Sequence, residues 1–205
     1  MKVTGLTGGI GTGKSTAAAY LKKKGFYHID ADEISRNLTA FGSPLLPVLN
    51  DIFGSDGCMG KPGHKILKGD GNLDRKALAE LVFTDKRKKS HLEDIMHGEI
   101  FRIIDEEIKN GISTESAGIL LDVPLLFETG LEKKCDHVIL IVADEKERIK
   151  RVCMRDGITT EDVRNRINSQ MSDDEKKRKA DIIIDNSGNE EELFSKLDCL
   201  LNDLI

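Results

Sequence analysis

A nine-residue stretch near the start of the chain, GGIGTGKST at positions 8–16, constrains the fold more than any other feature. It fits the pattern G-x-x-x-x-G-K-[ST], with Gly8 first, Gly13 sixth, and Lys14 and Ser15 after them. A short apolar run precedes the stretch and an alanine-rich helical pattern follows it. A strand, a glycine loop and a helix in this order bring backbone N–H groups and a helix N-terminus toward an anion. The stretch therefore predicts a phosphate-binding loop and a site for a nucleoside triphosphate; the alternative is a glycine-rich turn of similar sequence.

The polar side chains of this loop have separate expected partners. Lys14 is expected to reach the β- and γ-phosphates, and the hydroxyl of Ser15 is expected to bind Mg²⁺. Contacts with the nucleotide are predicted along the whole loop, at Gly9, Ile10, Gly11, Thr12, Gly13, Lys14, Ser15 and Thr16.

The composition narrows the class of protein. A chain of 205 residues suits one globular unit, with room for an inserted subdomain. The 31 basic and 36 acidic side chains give a net charge of −5, which argues weakly against nucleic acid as the main partner. No apolar run approaches the roughly eighteen residues of a membrane span, and the amino end leads into a predicted strand and not a signal peptide. The four cysteines form no C-x-x-C pair, so we expect a cytoplasmic protein without a zinc or redox framework.

Buried strand patterns alternate with helical patterns along the chain. Continuous apolar runs with flanking turn residues are typical of parallel strands covered on both faces. The sequence therefore predicts an α/β fold with a doubly wound, parallel, five-stranded sheet. The predicted strands are residues 2–6, 26–29, 119–123, 137–143 and 182–184, and the helices that flank the sheet include 14–24 and 190–204.

The middle of the chain, residues 32–111, has a different character. It contains helical patterns and no long strand pattern, which predicts a mainly helical subdomain inserted into a core of residues 1–31 and 112–205. Residues 55–72 are rich in glycine and lysine and predict an exposed loop. The helical patterns of the insertion lie at 44–53, 74–83 and 85–110.

Carboxylates follow two of the predicted strands. Asp30 and Asp32 come after the second strand, and Asp122 lies in the third. In open α/β sheets, residues at the carboxyl ends of strands face the ligand crevice. Asp122 also resembles the acid of the second nucleotide-binding motif, which organises Mg²⁺, usually through water. For Asp30 and Asp32 the alternative is capping of the helix that follows.

Three arginines late in the chain share a predicted helix face. Arg148, Arg151 and Arg155 are separated by three and four residues. Such a face is either solvated or part of a lid, about 145–179, in which arginine forks neutralise phosphate charge. Arg151 and Arg155 are the candidate nucleotide contacts. The acids that could pair with these arginines instead are Glu145, Glu147 and Asp156.

Several segments, in order along nearly the whole chain, resemble the dephospho-coenzyme A kinase family. The phosphate loop is generic, but Asp30-Ala31-Asp32 with Arg36, and the DVPLLFE segment at 122–128, are specific to the resemblance. Further matches lie at 73–75, 78, 82–83, 135–136, 151–156, 166, 170–171, 180–181 and 185–186. The chain departs from the family at Gly98, where the family has proline after histidine, and in extra residues between positions 54 and 73.

The resemblance implies a P-loop NTPase fold and transfer of the ATP γ-phosphoryl group to the ribose 3′-hydroxyl of dephospho-coenzyme A. For this reaction Asp32 is the candidate to accept the proton of the attacking hydroxyl, with Asp30 as the alternative base, and Lys14 and Arg151 are the other candidate catalytic residues. Asp30 and Asp122 would support Mg²⁺, the residues on the acceptor side would be Asp32, Arg36, Leu125 and Phe127, and the helical insertion would hold the acceptor. The partners would be small molecules, and the chain a monomer or weak homo-oligomer.

Two other functions fit part of the pattern. A kinase for another small acceptor, such as a nucleoside monophosphate, would share the loop and the arginines but would not explain the 122–128 segment. A nucleotide-dependent switch that reads guanine would normally carry an Asn-Lys-x-Asp segment, which the sequence lacks.

Overall fold

The computed structural model describes residues 1–54 and 66–205, apart from the side chain of Asp203. The described residues form a five-stranded parallel sheet in the order β2-β3-β1-β4-β5. All five predicted strands are present, with ends that differ by one or two residues, and the predicted α/β fold class is confirmed. The strands are β1 (Val3–Gly8), β2 (Tyr27–Asp30), β3 (Ile119–Asp122), β4 (His137–Val142) and β5 (Ile182–Asp185).

By its internal contacts the chain divides into two compact units, the first made of Met1–Asp30 and Glu107–Ile205 and the second of Ala31–Glu106. The sheet belongs to the first unit. Side chains of one sheet face, including Leu6, pack against α1 and α10 in one apolar cluster. Because side chains alternate along a strand, Gly5 faces the other way, toward Leu126 and Cys135. Helices therefore cover both faces, as the buried strands require. The helices of this unit are α1 (Lys14–Lys23), α6 (Leu126–Thr129), α7 (Glu145–Asp156), α8 (Thr160–Asn168), α9 (Asp173–Lys177) and α10 (Glu190–Leu204).

The second unit is helical in its described residues. Its elements are α2 (Ala31–Leu38), α3 (Leu45–Leu49) with a π-helical turn at Asn50–Gly54, α4 (Arg75–Phe83) and α5 (Lys86–Ile112), the last of which continues into the first unit. These elements share an apolar core around Leu49, Phe53 and Leu81. Asp74 caps α4 by accepting hydrogen bonds from the N–H groups of residues 76 and 77, which fixes where this helix begins.

The predicted exposed loop over 55–72 is wrong at one of its described residues. Ile66 is fully buried in the core of the second unit, and Leu67 forms an isolated antiparallel bridge with Leu73. Glycine and lysine dominate the composition of residues 55–72, so the composition does not indicate that Ile66 is buried. Residues 55–65, which include Cys58, lie outside the described residues.

Among the described residues, we find no helix with the length and hydrophobicity that crossing a membrane requires.

Candidate active site

The phosphate loop joins β1 to α1 and adopts a conformation that favours glycine at two positions. Gly11 and Gly13 have φ angles of 78° and 88°, in the left-handed region. A Cβ on Gly13 would also collide with the side-chain amide of Asn186, which donates a 2.8 Å hydrogen bond to the carbonyl of Thr12. Gly13 immediately precedes Lys14, the first residue of α1. The N–H groups of the loop and those of the first turn of α1 are therefore placed to bind one anion together.

Lys14 and Asp122, which the sequence assigns separately to phosphate and to Mg²⁺, are in direct contact. The ammonium of Lys14 forms a short ion pair with Asp122 Oδ1, and His28 Nε2 lies 3.3 Å from Asp122 Oδ2. Asp122 is only 4% exposed. Because a buried carboxylate needs partners, Lys14 and His28 stabilise its charge. Sequence reasoning missed His28, whose only signal is its place in the strand beside β3.

The carboxyl ends of neighbouring strands bring a second acid to the same edge of the sheet. Asp30 is the register partner of Asp122 in the parallel pairing of β2 with β3. β3 lies between β2 and β1, so these acids end strands on the side of the sheet from which the phosphate loop departs. Lys14, Ser15, Asp30 and Asp122 thus belong to one edge of the first unit.

Asp32 and Arg36 lie in the second unit. Both are residues of α2, Asp32 in its first turn and Arg36 in its last. Asp32 follows the end of β2 by only two residues, so the chain itself limits how far its carboxylate can lie from Asp30. An acid in the first turn also interacts favourably with the helix dipole, so the alternative role for Asp32 is to stabilise α2.

The three arginines of α7 differ sharply in their surroundings. Arg148 is buried, donates a 2.9 Å hydrogen bond from Nε to the carbonyl of Ile10, and pairs with Asp173 at 2.8 Å. Arg155 is exposed and pairs with its neighbour Asp156 through two hydrogen bonds of 2.6 and 3.0 Å. The Arg155 guanidinium holds the pKa of the Asp156 carboxyl below its ordinary value. Spacing alone placed these residues on one face but could not separate a buried arginine from a solvated one.

Arg151 lies beside the phosphate loop. Its Nη2 donates to the carbonyl of Gly188 at 3.3 Å, whereas the buried Nη1 has no hydrogen-bond partner among the described residues. A Cβ on Gly13 would lie 3.9 Å from this Nη1. A buried guanidinium nitrogen without a partner is costly, so an anionic group at this position would satisfy it.

Gln170 is a contact of the phosphate loop to which the sequence assigned no role. Its Oε1 accepts a 3.0 Å hydrogen bond from the N–H of Ile10, so both backbone polar groups of Ile10 are bonded within the protein. Gln170 and Asn186 are 160 and 174 residues away from their loop partners along the chain. The resemblance included both residues, but no local pattern indicates such distant contacts.

The predicted acceptor residues Leu125 and Phe127 have opposite exposures. Leu125 is 43% exposed, whereas Phe127 is 5% exposed and has the ammonium of Lys179 at 5.8 Å from its ring centre. Leu125 therefore offers an open apolar surface, and Phe127 belongs to the packed interior.

Within the second unit, α2 and α4 line an apolar pocket of about 320 Å³ that includes Arg36. Arg75, at the start of α4, donates a 2.8 Å hydrogen bond to Thr39 in the same pocket. Its apolar wall comprises Leu49, Leu73, Leu78, Ala79, Val82, Phe83, Leu92 and Met96.

The oxygen donors of the loop edge suit Mg²⁺. Ser15 is exposed at the start of α1, and Asp30 and Asp122 supply carboxylates at the neighbouring strand ends. The part of the chain that the structure describes has no cluster of three or more His, Cys, Asp or Glu side chains suited to a metal ion. A closed protein cage is not required, because Mg²⁺ bound with phosphates usually keeps several waters and takes one or two protein oxygens.

A parallel sheet with a phosphate loop after its central strand, and an acid at the end of the adjoining strand, defines the P-loop class of nucleotide-binding proteins. Comparison with known proteins agrees. A family model described as "Dephospho-CoA kinase" matches residues 2–192. The curated relatives include the dephospho-CoA kinase of Corynebacterium glutamicum, 39% identical over 98% of this chain and 96% of the relative. That of Fusobacterium nucleatum is 38% identical over 96% and 95%. The chain belongs to the dephospho-CoA kinase family.

Solved structures agree with this assignment. The fold matches a crystal structure from Thermus thermophilus with a TM-score of 0.78 at 34% identity, over 100% of this chain and 98% of the other. It matches the dephospho-CoA kinase from Campylobacter jejuni with a TM-score of 0.71 at 28% identity, over 99% and 98%. A shikimate kinase from Bacteroides thetaiotaomicron, at 14% identity and a TM-score of 0.50 over 98% of each chain, shares the fold alone.

Proposed function

We propose a division of roles among the residues of this chain for the reaction of its family, the ATP-dependent phosphorylation of dephospho-coenzyme A. In this reaction the γ-phosphoryl group passes to the ribose 3′-hydroxyl and gives coenzyme A and ADP, the last step of coenzyme A synthesis. The observation that carries the proposal is the ion pair of Lys14 with Asp122 at the loop edge of the first unit. Asp30 is the strand-register partner of Asp122, and Ser15 follows Lys14 in the first turn of α1. Phosphoryl transfer depends mainly on positioning and charge stabilisation, which this set of groups supplies.

The ATP phosphates bind along residues 9–16. Before ATP binds, the ion pair with Asp122 keeps the Lys14 side chain extended toward the site. When ATP binds, the Lys14 ammonium leaves the Asp122 carboxylate and pairs with phosphate oxygens. Arg151 supplies a second cationic group, because its unpartnered Nη1 lies beside Gly13. Arg155 contributes less, since Asp156 already occupies its guanidinium.

Mg²⁺ bound with ATP would be held by Ser15 directly and by Asp122 through water, with Asp30 as a further support. When bound, it neutralises negative charge on the phosphates. The exchange at Lys14 leaves Asp122 free for this role, and His28 continues to stabilise its other oxygen.

Asp32 orients the acceptor hydroxyl and accepts its proton. The position of Asp32 supports this role, because Asp32 lies in an exposed helical turn two residues after Asp30, the last residue of β2. The helical unit, predicted as residues 32–111, holds the acceptor. Its apolar pocket suits an extended chain of low polarity, and Arg36 and Arg75 suit the acceptor's phosphates. Leu125, exposed in the first unit, adds apolar contact.

We also propose that the chain acts in the cytoplasm on small molecules, as a monomer or weak homo-oligomer and without a nucleic-acid partner. The net charge of −5 supports the last point, because nucleic-acid binding usually relies on excess positive charge. Cys135, Cys153 and Cys199 are free thiols, which suits a reducing compartment.

Acceptor choice is tested by measuring ADP release from Mg·ATP with a panel of acceptors. The panel contains dephospho-coenzyme A, nucleoside monophosphates and shikimate, and a reaction without acceptor gives the background. The proposal predicts a rate that depends on dephospho-coenzyme A alone. A faster rate with a nucleoside monophosphate would contradict it and move the function to another small-acceptor kinase.

A further inference from the structure

A clamp of two side chains from far along the chain holds the backbone N–H and the carbonyl of Ile10. Gln170 accepts from its N–H at 3.0 Å, and Arg148 donates to its carbonyl at 2.9 Å. Gly9 lies beside this clamp, and a Cβ on Gly9 would collide with the Arg148 guanidinium. The start of the phosphate loop is therefore held by contacts that involve no nucleotide.

Arg148 also connects Ile10 to α9. Arg148 pairs with Asp173, the first residue of α9, at 2.8 Å. Ser172 and Glu175 form a reciprocal capping box at this helix start, with both backbone N–H groups satisfied. Residues 170–176, the bridging segment, thus have fixed geometry between Gln170 at one end and Lys176 at the other.

Lys176 makes an unusual contact at its end of the bridging segment. Its side chain is 0% exposed, and its Nζ lies 3.3 Å from Oε1 of Glu128, the last residue of the 122–128 segment. This Nζ lies outside hydrogen-bonding geometry with any described residue. The same Glu128 oxygen accepts a 3.2 Å hydrogen bond from the N–H of Met171, within the bridging segment.

A buried ammonium with one carboxylate partner contributes little to folding stability. Removing the two charges from water offsets much of their attraction, and a well-packed apolar side chain of similar volume often stabilises the fold as well. Because the ion pair joins α9 to α6, its effect is to fix the position of one element against the other. That position is transmitted to Ile10 through Gln170 and through the Arg148–Asp173 pair.

We propose that Lys176 and Gln170 are positioning residues, which hold the phosphate loop in register with the Asp122–Glu128 segment through residues 170–176. The inference rests on the assignment of residues 9–16 to ATP. It follows that removing the charge at Lys176 weakens nucleotide binding at a loop that Lys176 does not touch. It also follows that this effect is smaller once Gln170 no longer accepts the hydrogen bond from Ile10, because only the Arg148–Asp173 route then remains.

The test is a double-mutant cycle on the affinity of the full chain for a non-hydrolysable ATP analogue with Mg²⁺, measured by calorimetry. Lys176→Met and Gln170→Met keep side-chain length and remove the polar groups. Each is expected to weaken binding by about two- to thirtyfold. The double variant is expected to bind more tightly than the product of the two single losses predicts, because the two residues act through a shared route. Losses that multiply in the double variant, or wild-type affinity in Lys176→Met, would overturn the proposal.

Two further variants separate positioning from folding. Lys177→Met removes an exposed lysine from the same helix and should leave analogue affinity unchanged. Glu128→Gln keeps the shape and an acceptor for Met171 but leaves the buried ammonium of Lys176 without a carboxylate, so it should weaken analogue affinity as Lys176→Met does and also lower the melting temperature. A lower melting temperature with unchanged affinity of the folded protein in Glu128→Gln would mean a structural role only and would refute the proposal. If the wild type itself fails to bind the analogue, the ATP assignment fails and not the coupling alone.

Discussion

A carboxylate that accepts the proton of the attacking hydroxyl is needed only in the chemical step. Asp32→Asn keeps the shape of the side chain and removes its basicity, so kcat should fall by about 10²- to 10⁴-fold while ATP-analogue affinity stays nearly the same. The adjacent Glu33→Gln, also exposed in α2, is the matched control and should retain wild-type kcat. Turnover of Asp32→Asn at the wild-type rate, at saturating substrates, would remove Asp32 from this role.

The cysteines give a second test at the residue scale. Cys135 packs against β1, and burial, followed by the nearby Asp136, Glu132 and Asp181 charges, raises the pKa of its thiol from 9.0 to about 12. The thiolate is the reactive form, so at about pH 8 Cys135 should resist iodoacetamide while the exposed Cys199 is modified. Peptide mapping by mass spectrometry measures both sites, and equal labelling in the native protein would contradict the burial of Cys135.

The same pKa has a consequence for stability against pH. The folded chain keeps the Cys135 proton at pH values where the unfolded chain has lost it. The contribution of this group is therefore complete below pH 9.0 and is lost as the pH rises toward about 12.

At the scale of elements, the phosphate loop depends on a glycine for two separate reasons. Gly13→Ala adds left-handed strain of about 1–2 kcal/mol and also displaces Asn186 from Thr12. Gly42 has a φ of 81° and no atom within 4 Å of the place a Cβ would take. Gly42→Ala therefore adds the left-handed strain without a steric clash. Both alanine variants should lose stability in thermal unfolding, and Gly13→Ala should lose more because it also breaks the Asn186 contact. Only Gly13→Ala should lose kcat, on the order of 10²-fold. Equal kcat in the two variants would show that the Asn186 contact is unimportant.

Helix α7 carries two candidate nucleotide contacts that differ in pairing. Arg151→Ala removes a guanidinium with an unpartnered nitrogen beside Gly13 and should lower kcat on the order of 10³-fold. Arg155→Ala removes an exposed guanidinium that already pairs with Asp156, so it should lower kcat much less than Arg151→Ala does. Steady-state kinetics of both variants make the comparison. A larger loss for Arg155→Ala would reverse the assignment.

The sequence predicted elements better than contacts. The apolar runs and the glycine loop located every strand of the described sheet, because period and buried composition are local properties. Ile66 shows the limit of composition, since one buried residue among glycine and lysine anchors a segment that looks exposed. Arg148 and Gln170 show the limit of spacing, because their partner Ile10 is 138 and 160 residues away.

At the scale of the whole molecule, each compact unit contributes one part of the proposed reaction. The first unit carries the phosphate loop, the strand-end acids and the arginine helix, and the second carries Asp32 and the pocket with Arg36. In the proposed mechanism, the ion pair between Lys14 and Asp122 holds the Lys14 ammonium at the phosphate loop until ATP binds.

The most direct measurement is the conversion of dephospho-coenzyme A by the purified wild-type chain with Mg·ATP, followed by mass spectrometry and chromatography. We expect one product that carries a single added phosphate and co-elutes with coenzyme A, in amounts equal to the ADP released. A phosphorylated product that does not co-elute with coenzyme A, or ADP release without any new product, would contradict transfer to the ribose 3′-hydroxyl.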